Sequence, residues 1–185
     1  MTAYYYRDLL AKHGPTYQAV DAGSLESQRT RLAVLTSIIP THATILDIGC
    51  GYGALLEQSW IKSERYLGID YLPEMIEAAK KKYPGYRFEV GDIMQPKPAW
   101  AADYVMANGL FQFADDFFVL KTVPTLFALA RKGVAINFLR KGRSDEYTVS
   151  PKGMLSYMDY LTPWYAIKAD YLPNDFTLYL YKQRS

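Results

Sequence analysis

The stretch ILDIGCGYGALLE, residues 45–57, decides how this chain is read. A short apolar run carrying Asp47 gives way to Gly49, Gly51 and Gly53, with Cys50 and Tyr52 between them. Such a run bounded by glycines predicts a buried strand that ends in a tight turn. Glycine tolerates positive φ and lacks a Cβ, so another group can rest directly on its main chain. In an open α/β sheet, ligands bind at the carboxyl ends of the strands. Three glycines alone specify only a turn; their surroundings have to say whether it holds anything.

Downstream, strand and helix alternate. Strands are predicted at 44–48, 66–69, 86–90, 102–107 and 133–139, with helices at 54–60, from Pro73 onward, at 115–131 and at 151–161. Pro73 falls where a first helical turn tolerates it, whereas Pro124 should kink its helix. The tail holds two strand-like runs, 165–171 and 176–182, joined by LPND as a tight turn. Upstream, a helix over 4–12 is stopped by Gly14 and Pro15. A second starts after Ser24 and ends at Pro40, with Leu25, Leu32, Leu35 and Ile39 on one buried face. The pattern implies one α/β domain whose mostly parallel sheet carries an antiparallel edge strand.

Composition narrows the partners. The chain has 185 residues, 50% hydrophobic and 22% charged, which fits a single globular domain. A net charge of +2 does not advertise nucleic acid or an anionic membrane. The lone Cys50 excludes an internal disulfide framework and a clustered-thiol zinc site, and no metal is expected. The N-terminus lacks the apolar core of a secretory signal and no run is long enough to span a bilayer. A cytoplasmic monomer or homodimer with a small-molecule partner is the expectation. The 17 tyrosines suit a pocket for a flat or cationic ligand.

The glycine stretch can also be read as G-x-G-x-x-A, with Asp70 at the distance of a ribose-binding acid, which would make the chain an NAD-dependent reductase. Asp47 opposes that reading. A carboxylate just before the first glycine would face a pyrophosphate, which needs donors, whereas a ligand with an ammonium group would welcome it. Nor does the chain have room for a second, catalytic domain.

The stretches ILDIGCGYG, YLGIDYLPEMIEAA, FEVGDI and DYVMANGLF occur in order, each at a predicted strand end. Together they resemble the successive motifs of class I S-adenosylmethionine-dependent methyltransferases over most of residues 44–111. The C-terminal hairpin is similar to that family's sixth and seventh strands. The resemblance implies a Rossmann-like seven-stranded, mostly parallel sheet with an antiparallel C-terminal edge hairpin and helices on both faces. Residues 41–185 would form this core and residues 1–40 a helical lid.

It also implies S-adenosyl-L-methionine as cofactor and transfer of its methyl group to O, N or C of a small molecule by direct displacement. Gly49 and Gly51 would approach the methionine part, with Asp47 near its amino group. Asp70 would accept hydrogen bonds from the ribose hydroxyls, and Tyr71 would pack on the adenine. Asp92 would receive the adenine amino group, with Ile93 flanking the ring. Asn108 and Gly109 would lie beside the transferable methyl. A protein of this fold that binds the cofactor without methyl transfer, as a cyclase or regulatory partner, is the alternative.

The remaining candidates concern the acceptor. Tyr4, Tyr5 and Tyr6 could present rings to the sulfonium or substrate, or pack as an ordinary helix face. Arg31 could clamp a carboxylate or serve as a surface charge. His13 could act as general base, or simply complement a helix dipole. Asn137, inside the apolar VAINFL, could orient backbone or line the pocket. His42 lies before the first strand, at the wrong sheet edge. DYVMANGLF lacks the prolines of the N-P-P-[YF] motif of methyltransferases acting on nucleobase or amide nitrogen, which speaks against a nucleic-acid substrate.

Overall fold

A computed structural model describes residues 2–158 and 160–184 of the chain. Helix α1 (Thr2–His13) ends at Gly14, whose N–H bonds to the Leu10 carbonyl and whose left-handed φ of 63° turns the chain away. Helix α2 (Leu25–Thr36) opens on a capping box: the Ser24 hydroxyl accepts from the Ser27 N–H, and Ser27 returns the bond to the Ser24 N–H. Beyond it come β1 (Ile45–Ile48), β2 (Tyr66–Asp70), α3 (Pro73–Lys82), β3 (Arg87–Val90) and β4 (Ala102–Ala107). The chain closes with α4 (Asp116–Leu129), β5 (Ala130–Leu139), α5 (Pro151–Met158), β6 (Tyr165–Lys168) and β7 (Asp175–Tyr181).

The seven strands form one sheet in the order β3-β2-β1-β4-β5-β7-β6. β1 to β5 are parallel, and β7 runs antiparallel to both neighbours. The antiparallel strand is thus interior, and the edge strand β6 points the same way as β1 to β5. A hairpin can fill that slot because β7 pairs with β5 over seven residues, whereas β6 pairs over only four.

Period-two alternation divides the core. Val105, Ala107, Val134, Ile136, Leu178 and Leu180 pack under α4 and α5. Tyr104, Met106, Ala135 and Tyr179 face the opposite way, with Leu32 and Leu35 of α2 and Met75, Ile76 and Ala79 of α3. Helices therefore cover both faces.

Several expectations need correction. Residues 54–60 are not a helix: a single 3-10 turn, Ala54–Glu57, gives out at Gln58, which turns extended and allows Ile61 to be buried. α2 stops at Thr36; Ile39 is buried from the following turn, and Leu25 is 36% exposed rather than on the packed face. α4 contains Pro124 as expected but ends at Leu129, short of Arg131. β6 ends at Lys168 and α5 at Met158, both short of their predicted bounds. Among the described residues, no helix is long and apolar enough to cross a membrane.

Candidate cofactor and acceptor site

A cavity of about 1230 Å³ opens at the carboxyl ends of the parallel strands, roofed by α1, residues 20–24 and α2. That exceeds the few hundred to thousand Å³ typical of a site for one drug-sized ligand. Two halves can be told apart by how they are built.

The first half is the glycine loop and the strand ends beside it. Gly49 and Gly51 have φ of 71° and 52°, which side-chain-bearing residues rarely adopt. A Cβ on Gly51 would lie 2.9 Å from the Val20 side chain, so the roof leaves no space for one. The loop amides are already committed. Gly49 and Cys50 donate to the Ile69 carbonyl at 2.8 and 3.0 Å, and Gly51 donates to Asp70 Oδ2 at 2.9 Å. A pyrophosphate would find these donors occupied and two carboxylates beneath, which removes the support for the nicotinamide reading.

Asp47 is 4% exposed and accepts from the Tyr66 hydroxyl at 2.8 Å. Burial pushes its carboxyl up to about 7, against the Tyr66 hydrogen bond, and the nearby Asp70 charge adds to the rise. Asp70 is held by the Gly51 and Leu72 amides, one to each oxygen. Each oxygen keeps a lone pair for a further donor. Burial raises this carboxyl too, partly offset by those amides. Asp92 is exposed, its Oδ1 turned to the Met94 amide at 2.8 Å, beside the buried Ile93. Tyr71, 46% exposed, completes this wall. At the end of β4, Gly109 has φ of 70°, and Asn108 Oδ1 is buried with no hydrogen-bond partner. An orphaned buried acceptor is rare in a folded chain and calls for a donor.

The second half is made of side chains from distant parts of the sequence. Asp21, in a left-handed conformation at φ 53°, accepts from Arg143 Nη2 at 2.6 Å and from Gln112 Nε2 at 2.9 Å. Gln112 Nε2 also donates to Glu146 at 2.7 Å, and its Oε1 accepts from the Tyr6 hydroxyl at 3.1 Å. Against the cost of partial burial, Arg143 holds the Asp21 carboxyl below the usual range. Deeper in, Arg31 forks onto Asp175 at 2.6 and 3.3 Å, and Asn137 Nδ2 donates to the same carboxylate at 3.0 Å.

The predicted residues therefore divide. Asp47, Gly49, Gly51, Asp70, Tyr71, Asp92, Ile93, Asn108 and Gly109 converge on the cavity, as do Tyr6, Arg31 and Asn137. Tyr4, Tyr5 and His13 are not among its lining residues. Tyr4 is 72% exposed on the outer side of α1, with Arg7 over its ring. Tyr5 packs edge-on against Tyr6 and Phe113, with its hydroxyl beside Asp21 and Arg143. His13 ends α1, where its carbonyl accepts from Thr16. Sequence reasoning missed Asp21, Gln112, Arg143 and Glu146. Only DAG at 21–23 carries a local signal, that of a turn.

Residues 45–133 match the family model described as a methyltransferase domain. The trans-aconitate 2-methyltransferase of Enterobacter sp. (strain 638) is 38% identical over 90 residues, 47% of this chain and 34% of that protein. That of Azoarcus sp. (strain BH72) is 31% identical over 125 residues, 64% of this chain and 48% of that protein. The chain thus spans less than half the length of these relatives. Among solved structures, the magnesium protoporphyrin IX methyltransferase from Synechocystis PCC 6803 with bound SAH superposes with a TM-score of 0.71 at 15% identity. That likeness covers 100% of this chain and 99% of that one. It carries the fold from end to end, hairpin included. The chain thus shares its sheet order with that structure from end to end, and residues 45–133, which carry the acid-bearing glycine loop, are similar to a methyltransferase domain.

Proposed function

We propose that this chain binds S-adenosyl-L-methionine and transfers its methyl group to a small-molecule acceptor. The observation that carries this is the convergence of Asp47, Asp70 and Asp92 on one cavity, at the ends of successive strands. Acids are what a ligand with an ammonium, a sulfonium, two ribose hydroxyls and an adenine amino group requires; a phosphate-bearing nucleotide requires the opposite. The two open lone pairs of Asp70 fit the ribose hydroxyls. Asp47, ionised by an approaching cation, fits the amino group. Asp92 with Ile93 and Tyr71 fits the adenine, and Gly49 and Gly51 let the methionine end lie against the main chain.

When bound, the cofactor supplies an electrophilic methyl on a positively charged sulfur; bonding to the acceptor breaks the S–C bond and leaves a neutral thioether. The chain's own part is positioning and exclusion of water, which in good intramolecular models supplies roughly 7–11 kcal/mol. Asn108 would lie beside the acceptor, whose proton passes to solvent. No side chain in the wall is required as a base for an amine acceptor. A small acceptor fits the size of the cavity.

Calorimetry tests this directly. S-adenosylmethionine should bind with about micromolar affinity, and methylated product with the demethylated cofactor should appear across an acceptor panel. Absence of binding would overturn the reading. Binding without product from any acceptor would identify the non-transferring alternative.

A further inference from the structure

We propose that the methyl acceptor of this chain is non-anionic: an amine or alcohol that carries no carboxylate. The inference rests on the proposed methyl transfer and deepens it by naming the substrate class. Besides Asp47, Asp70 and Asp92, which the cofactor would engage, four carboxylates (Asp21, Asp115, Glu146 and Asp175) and three cations (Arg31, Lys141 and Arg143) line the cavity among the described residues. The acceptor half therefore has no surplus of positive charge with which to attract an anion.

Its cations are also spoken for. Arg31, with only 17% of its side chain exposed, is forked onto Asp175, itself 3% exposed and further held by Asn137. Turning Arg31 toward a ligand carboxylate would leave Asp175 buried without its counter-charge, a costly exchange. Arg143 is shared between Asp21 at 2.6 Å and Glu146 at 3.3 Å, with Asp145 at 3.5 Å from its Nε. The third cation, Lys141, is exposed. A polycarboxylate would therefore lose its hydration and meet more acids than free donors. Tyr6, Phe113 and Phe118 supply apolar wall on the same side. The relatives named for trans-aconitate, a tricarboxylate, would then share the cofactor half and not this acceptor.

The test is a titration of trans-aconitate and of its uncharged triamide into the unaltered chain, Asp175→Asn, and Asp21→Asn/Glu146→Gln, followed by calorimetry. In the unaltered chain the tricarboxylate shows no saturable binding up to about 10 mM. Unmasking an arginine in either variant raises its affinity by at least about tenfold and leaves the triamide unaffected. Saturable binding of trans-aconitate to the unaltered chain, abolished by Arg31→Gln or Arg143→Gln, would overturn the proposal. So would folded variants that still refuse the anion, since masking would not then be the cause. If Asp175→Asn fails to fold, the Asp21/Glu146 variant carries the test alone. The titration reads out without turnover, so failure of S-adenosylmethionine to bind would sink the proposed function separately.

Discussion

The two halves of the cavity are built on different principles. The cofactor half comes from residues 47–109, where each functional group sits at or just past a strand end and is held by neighbouring main chain. Asp70 is gripped by two amides, and the glycine loop bonds to the Ile69 carbonyl. The acceptor half is a web of side chains in which Asp21 meets Arg143 across 122 positions and Arg31 meets Asp175 across 144. Main-chain scaffolding is rigid and survives sequence change elsewhere. A side-chain web can be rewired by single substitutions, so it is where acceptor choice can change while the cofactor half stays constant.

If this division holds, damage to the first half should be large and damage to the second small and confined to the acceptor. The largest effect is expected for Asp70→Ala, which removes the ribose ligand and strands the Gly51 and Leu72 amides. With charge-assisted bonds worth roughly 1.5–3 kcal/mol, cofactor affinity should fall on the order of 100-fold by calorimetry. An unchanged affinity would break the comparison at its root. Next, Gly51→Ala combines a φ of 52° with a 2.9 Å approach to Val20. Urea denaturation should show a loss of about 1–3 kcal/mol, with the cofactor bound more weakly in proportion.

Asp47 sharpens the picture through pH. Its carboxyl sits at about 7 in the folded chain, above the ordinary carboxylate value of 3.8. Between those two values the folded state holds a proton that the unfolded state has lost, so this group's contribution to stability falls as pH rises through that window. A cationic ligand favours the ionised form, so cofactor affinity should rise with pH up to about 7, by no more than about tenfold per unit. Proton release measured calorimetrically in different buffers should accompany binding below that pH. Asp47→Asn should flatten the profile.

The smallest effect is expected for Arg143→Gln. Its guanidinium is about half exposed, so stability should change by about 0–1 kcal/mol. KM for the acceptor should shift while the dissociation constant of the cofactor stays within about twofold. A large loss of cofactor binding would show that the clasp holds the whole roof and that the two halves are one unit.

Legibility followed the same division. β1, β2 and β4 were legible as continuous apolar runs because strands of a parallel sheet are buried on both faces, and all three are. The acids at their ends stand out because a carboxylate beside such a run has no packing reason to be there. The helix expected over 54–60 failed because its apolar content reflects burial of Leu55, Leu56 and Ile61 by tertiary packing, with no helical repeat behind it. The tyrosines of α1 were ambiguous for a related reason. Three consecutive rings point in three directions on a helix, and only the packing of α1 on the core decides that Tyr6 faces the cavity and Tyr4 the solvent. Arg31 was visible as a candidate clamp, but nothing near it in sequence shows that Asp175 already fills it.

Sequence alone determined the order of strands and helices, the turn that exposes the glycine loop and the positions of Asp47, Asp70 and Asp92. All of these follow from local periodicity and from short-range backbone chemistry. Tertiary structure alone decided which charges neutralise each other, which ring lines the cavity, and that Asn108 Oδ1 has no partner among the described residues. Those outcomes depend on side chains brought together from opposite ends of the chain. Contact across more than a hundred residues leaves no trace in local pattern.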